Sequence, residues 1–181
     1  MKCLLTNLPI FASKLNNMKV KFQGKEVTLI GSELKAGDKF PDFTAASNSL
    51  EPVSLNDTKG VRVFLTVPSI DTPVCDLEVK TFNKRAAEIE GVTVYTVSMD
   101  LPFAQSRWCG AEGIKSVITL SDYKDRDFGN STGTYVKEIG LLARTAFVVD
   151  SNNTITYAKY LDEITDYPNY DEILEAAQNA K

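Results

Sequence analysis

Histidine is absent from the 181 residues, and this absence excludes more than any residue present. It removes Ser-His-Asp and Cys-His nucleophile pairs, His-x-Glu deaminase centres and nearly every catalytic zinc site. Cysteine is scarce too. Cys3, Cys75 and Cys109 include no pair spaced by two residues, so a closed Cys-rich zinc cluster cannot form within one chain. An odd number of cysteines in a chain of this length is no disulfide scaffold. Basic charge is not in excess: 20 Lys and Arg against 24 Asp and Glu give a net charge of −4. Nucleic acid therefore has no electrostatic footprint to meet. No apolar run approaches the ~18 residues of a membrane span.

What is present suffices for a packed core. Hydrophobic residues make up 43%, enough to bury one domain without metal or disulfides. Residues 1–17, MKCLLTNLPIFASKLNN, differ from the regular pattern that begins at Met18. Thr6 and Asn7 interrupt the apolar stretch and no Ala-x-Ala follows, so a secretion signal is not expected there. These residues read as a disordered extension or a mis-assigned start, and 18–181 as the folded domain. Cys3, in that extension, has no activating context and reads as an incidental thiol.

From Met18 the pattern is β-like. Val20 and Phe22, then Glu26 to Ile30, flank Gln23-Gly24-Lys25 as an N-terminal hairpin. Residues 32–60 are turn-rich with short extended pieces. VRVFLTV (61–67) is apolar on both faces and predicts a central strand. A helix follows over 75–90, with Val79, Phe82, Ala86 and Ile89 on one stripe and Glu78, Lys80, Lys84 and Glu88 off it. VTVYTVSM (92–99) is the next strand, completing a βαβ unit. Beyond it come a short helix at 102–109, a strand at 117–120, strands at 144–150 and 154–160 joined by a hairpin turn, and a C-terminal helix from Asn169. This order predicts an α/β domain with a mixed central sheet flanked by helices.

Cys75 stands out by position. Thr72 suits a helix N-cap and Pro73 the first helical residue, so Cys75 falls in the first turn. Unpaired N–H groups and the helix dipole there favour a thiolate. A free thiol with pKa near 8.5 is only a few per cent ionised at pH 7. Bringing it to about 6 needs roughly 3.4 kcal/mol, while a helix terminus supplies about 0.3–2. A cation or further hydrogen bonds must provide the rest, and arginine is the natural donor. Complete ionisation yields only about a thirtyfold gain in nucleophile. Fast chemistry therefore also needs donors aimed at the transition state. The alternative is an inert buried cysteine, the commoner fate of a free thiol.

PSIDTPVC (68–75) resembles the peroxidatic-cysteine loop of the peroxiredoxins, Pro-x-x-x-Thr-x-x-Cys. DLPFAQSRWCGAEG (100–113) is similar to the resolving-cysteine segment of their atypical two-cysteine members, the bacterial thiol peroxidase subfamily. LLARTAFVVD (141–150) and LDEITDYPNY (161–170) resemble that subfamily's C-terminal strands and tail. The likeness runs from about Met18 to the end.

This resemblance implies a thioredoxin-like fold with an N-terminal β-hairpin. It implies that Cys75 attacks hydrogen peroxide or an alkyl hydroperoxide and becomes a sulfenic acid. Thr72 would hydrogen-bond thiolate and peroxide, Pro68 would shield the pocket, and Arg144 would supply the missing cation. Cys109 would resolve the sulfenic acid as a Cys75–Cys109 disulfide, with thioredoxin as reductant. It further implies a homodimer, a bacterial cytoplasmic setting, protection against oxidative stress, and no cofactor, metal, nucleic-acid or membrane partner. Cys75 and Cys109 lie 34 positions apart, and a disulfide needs Cα atoms within about 4.4–6.8 Å. The first turn at Cys75 and the 102–110 segment are therefore expected to unfold locally to join.

Two other functions compete. A thiol–disulfide oxidoreductase would carry a second cysteine three residues from Cys75, where Thr72 stands. A redox sensor would share the peroxide step and pass oxidation to a partner protein. Elsewhere, Trp108 reads as packing, and Gly129-Asn130-Ser131-Thr132-Gly133 as a flexible connection. Asp162, Glu163 and Asp166 read as a solvated acidic face.

Overall fold

The computed structural model describes residues 18–86 and 89–180. The readings for residues 1–17, Cys3 included, lie outside the described residues. A hairpin of β1 (Lys19–Phe22) and β2 (Lys25–Ile30) opens the domain. Gln23 and Gly24 adopt positive φ of 52° and 77° in its turn. Then come β3 (Thr44–Ala46), β4 (Pro52–Ser54), β5 (Val61–Thr66), α1 (Pro73–Ala86), β6 (Val92–Ser98), α2 (Pro102–Glu112) and β7 (Val117–Ser121). The chain ends with α3 (Asp127–Thr132), β8 (Tyr135–Val136), β9 (Leu141–Leu142), β10 (Thr145–Val149), β11 (Ile155–Tyr160) and α4 (Tyr170–Asn179).

Seven strands form one mixed sheet in the order β11-β10-β5-β6-β7-β3-β4. β5, β6 and β7 run parallel, while β10 pairs antiparallel with β5 and β3 antiparallel with β7. Side chains alternate between two cores, as strand geometry requires. Val63, Leu65, Val94, Ala146 and Val148 join the core that contains Cys75, Val79 and Phe82 of α1 and Ile173, Leu174 and Ala177 of α4. Phe64, Tyr95, Val97, Phe147 and Val149 point the other way, into an aromatic core with Phe40, Phe43 and Phe128. The predicted mixed sheet with helices on both faces is the observed one.

The predicted hairpin is present, and β8 pairs with β2 and β9 with β8 to extend it into a second, four-stranded antiparallel sheet. One sequence reading needs correction. Residues 129–133 are no flexible connection but the end of α3, buried in part and held by Asp122, whose carboxylate accepts from the Phe128 and Gly129 amides. A Cβ on Gly129 would lie 2.7 Å from Leu142 Cδ2, so glycine there serves close packing rather than mobility. Glu163 is also more than a solvated acid. Its carboxylate accepts from the Gln23 and Gly24 amides at 3.0 and 2.9 Å, tying the C-terminal segment to the hairpin turn.

Candidate active site

α1 begins at Pro73 as predicted, which puts Cys75 third in the helix and fully buried. The Thr72 carbonyl accepts the Asp76 amide, so Thr72 occupies the capping position. Its hydroxyl is spent elsewhere. Thr72 Oγ1 lies 2.7 Å from Cys75 Sγ and 3.1 Å from the Ser69 carbonyl. Pro68 is buried, two residues beyond the end of β5.

Arg144 arrives from the far side of the sequence. It immediately precedes β10, and that strand's pairing with β5 and β11 fixes its backbone. Its neighbours are pinned as well, since Thr66 Oγ1 donates to the Ala143 carbonyl at 2.6 Å. The guanidinium is buried and divides its donors three ways. Nε donates to the Ile164 carbonyl at 2.9 Å, Nη1 to Glu78 Oε2, and Nη2 to Cys75 Sγ at 3.0 Å. The rigid fork sets three nitrogens apart in fixed directions, so that each acceptor meets its own nitrogen.

Glu78 is the residue that the helical pattern placed off the apolar stripe, and the structure buries it completely. It stands three positions after Cys75 and so shares that face of α1. That spacing was the available signal; its apparent grouping with Lys80, Lys84 and Glu88 hid it. Burial pushes the Glu78 carboxyl up to about 7, against the pull of Arg144. For Arg144, burial opposes the charge, but Glu78 and the Cys75 sulfur outweigh it and raise the pKa. The cation therefore stays charged in a buried site.

The chemistry available to this arrangement follows from two donors, one neutral and one cationic, converging on a buried sulfur. These donors, fixed before reaction, can hold a developing charge on an attacked oxygen. Thr72, Cys75 and Arg144 are thus brought together as the sequence implied.

Cys109 is not in that cluster. It sits in α2, half-buried, with Sγ 3.5 Å from Thr119 Oγ1, and both Cys75 and Cys109 are free thiols. The two belong to the same core through their side chains. Trp108 is buried as expected, yet its indole also donates to Asp76 Oδ1 at 3.0 Å. Lys80 continues this seam, pairing with Asp76 at 2.9 Å and with Glu112 at 2.6 Å.

The Redoxin family model matches residues 35–174, most of the chain. A thiol peroxidase from Clostridium acetobutylicum is 73% identical over 164 residues, covering 91% of this chain and all of the relative. The chain belongs to the peroxiredoxins, as a bacterial thiol peroxidase. A thiol peroxidase from Bacillus subtilis is 53% identical over 161 residues, covering 88% of this chain and 96% of its own. Among solved structures, a peroxiredoxin-like protein from Aquifex aeolicus superposes with a TM-score of 0.84 at 40% identity, covering 90% of this chain and 97% of that one. The thiol peroxidase from Chromobacterium violaceum has a TM-score of 0.81 at 18% identity over 89% of this chain and 95% of its own, which shows a shared fold. The mixed sheet of this peroxiredoxin is accordingly the thioredoxin-like one, and its activity is peroxide reduction. Among the described residues, no helix is long and apolar enough to cross a membrane.

Proposed function

We propose that Cys75 is the peroxidatic and Cys109 the resolving cysteine of a thioredoxin-recycled peroxidase for hydrogen peroxide and alkyl hydroperoxides. The observation that carries this reading is the double contact on one sulfur, Thr72 Oγ1 at 2.7 Å and Arg144 Nη2 at 3.0 Å. The Cys75 thiolate attacks the terminal peroxide oxygen, the O–O bond breaks, and the departing oxide takes a proton to leave as water or alcohol. Sulfur is oxidised to Cys75–SOH. Cys109 then attacks that sulfur, the S–OH bond breaks, and water leaves as the disulfide forms. A dithiol of the thioredoxin type supplies the two electrons that restore both thiols.

Pro68 shields the thiolate from bulk water in this reading, and Arg144 and Thr72 stabilise both thiolate and peroxide. Joining Cys75 to Cys109 requires the first turn of α1 to leave the Thr72–Arg144 cradle and α2 to leave β7. The enzyme works as a homodimer in the cytoplasm and protects against oxidative stress. The fold needs no cofactor for any of these steps.

The test is NADPH consumption coupled through thioredoxin reductase and thioredoxin, with hydrogen peroxide or an alkyl hydroperoxide as substrate. Cys75→Ser is expected to abolish turnover. Cys109→Ser is expected to consume one equivalent of peroxide and then stop turning over with thioredoxin. Full turnover by Cys75→Ser would overturn the reading.

A further inference from the structure

The Thr72–Cys75–Arg144 cradle does not explain what holds the 68–72 loop itself. That loop lies between β5 and α1, and Ser69 is its pivot: the Ser69 carbonyl accepts the Thr72 amide at 3.2 Å, while Thr72 Oγ1, whose proton faces the Cys75 sulfur, lies 3.1 Å from the same carbonyl. Ser69 is gripped in turn by a residue from the other half of the βαβ unit. Asp100 Oδ1 accepts from Ser69 Oγ at 2.7 Å, and Asp100 Oδ2 accepts from the Ile70 amide at 2.8 Å. A third bond, from Ser98 Oγ at 2.6 Å, fixes the carboxylate against the end of β6.

The base of this clasp is anchored in the sheet. Gln105 Nε2 donates to Ser98 Oγ and to the Leu120 carbonyl, both at 2.9 Å, and Ser121 Oγ donates to the Asp100 carbonyl. A continuous chain of bonds therefore runs from Asp100 through Ser69 and Thr72 to the Cys75 sulfur. Asp100 also stands two residues before Pro102, where the helix carrying Cys109 begins. One carboxylate thus grips the peroxidatic loop from the root of the resolving helix.

We infer that Asp100 is a positioning residue for peroxide reduction: it holds the 68–72 loop in the geometry for attack, and its grip opposes the movement that disulfide formation needs. It touches neither peroxide nor sulfur and acts through Ser69 and Thr72. A carboxylate suits the task because it is an acceptor with several lone-pair sites and can take three donors at once. Asparagine offers one acceptor oxygen and places an NH2 where a second donor must bond. This inference rests on Cys75 and Cys109 forming the redox pair.

The test separates the two chemical steps in Asp100→Asn and in the milder Ser69→Ala, which removes one donor and leaves Asp100 intact. Rapid mixing with peroxide followed by acid quench and mass analysis gives the rate of Cys75 sulfenic acid formation and the rate of its conversion to disulfide. For Asp100→Asn, sulfenic acid formation is expected to slow by tenfold or more, while conversion to disulfide becomes several-fold faster. Ser69→Ala is expected to shift both rates in the same directions by less. With excess peroxide, Asp100→Asn should also yield a smaller fraction of Cys75 sulfinic acid, because the sulfenic acid is withdrawn sooner. A general loss of structure would slow both steps, so a parallel fall in the two rates in both variants overturns the inference. Sulfenic acid formation within twofold of the parent in Asp100→Asn overturns it as well. If the parent protein itself forms no Cys75–Cys109 disulfide, the assignment of Cys109 fails, and that result is read in the parent before any variant.

Discussion

Arg144 Nη2 stands 3.0 Å from Cys75 Sγ although the two residues are 69 positions apart in the chain. The contact exists because β10 pairs with β5, the strand that leads into the Cys75 loop. Removing the arginine therefore does two things. It takes a cationic donor from the sulfur, and it leaves Glu78 buried without its partner.

Arg144→Ala is accordingly expected to cost stability by about 1–3 kcal/mol, because the buried Glu78 carboxyl, kept neutral by its raised pKa, and the Ile164 carbonyl lose their donor. Arg144→Lys keeps the charge but cannot serve Ile164, Glu78 and Cys75 together. It should fold better than Arg144→Ala, yet reduce peroxide at least tenfold more slowly than the parent. Stopped-flow rates and urea midpoints check both statements. A Lys variant with the parent's rate would show that charge alone suffices.

The Glu78 carboxyl predicts a pH effect on stability. Its folded pKa stands at about 7, above the 4.5 of an ordinary glutamate. The folded state thus holds a proton that the unfolded state has released. The contribution of Glu78 to stability is complete below about pH 4.5 and is lost as pH rises through about 7. Urea denaturation at pH 5 and pH 8, in a Cys75→Ser background so that the thiol drops out, should show a larger fall in stability for Glu78 than for Glu78→Gln. Equal falls would contradict it.

Trp108 and Asp76 are the immediate neighbours of Cys109 and Cys75, and one hydrogen bond of 3.0 Å joins them. The proposed Cys75–Cys109 disulfide, formed by local unfolding of these turns, is expected to break it. Trp108 is the single tryptophan of the chain, so its emission should change on oxidation and return on reduction, at the rate of the thiol chemistry. Emission that stays constant through a full redox cycle would show that this seam remains closed.

Glu163 ties the hairpin to the body of the domain. Burial acts to raise its pKa, but hydrogen bonds from Thr165, Gly24 and Gln23 outweigh it and hold the carboxyl at about 2. Its contribution is present above about pH 4.5 and is lost as pH falls through about 2. Glu163→Gln should cost up to about 1 kcal/mol at pH 7, because water screens these exposed bonds. It should also speed amide exchange at Gln23 and Gly24. Unchanged exchange there would remove Glu163 from the hairpin's support.

The sequence made the large elements plain because their patterns are strong: β5, β6 and β10 are runs of β-branched and aromatic residues, and α4 carries Ile173, Leu174 and Ala177 at helical spacing behind the Asn169 cap. It hid α3, whose Asp-Phe-Gly-Asn-Ser-Thr is a poor helix former. That helix is stabilised by Asp122, which reaches back to its amides, a tertiary contact without a periodic signature. β8 and β9 are two residues each, too short for any alternation to register. At the site, Thr72 and Cys75 were legible because one helix turn joins them. Glu78 and Asp100 were not, because each acquires its role from a partner 66 or about 30 positions away.

The most direct measurement treats the reduced protein with one equivalent of hydrogen peroxide and maps its cysteine-containing peptides by mass. The expected product is a Cys75–Cys109 cross-linked peptide with no loss of either segment to other partners. Cys75 as sulfinic acid beside a free Cys109 would contradict the resolving assignment, and two unmodified thiols would contradict the peroxidatic role of Cys75 itself.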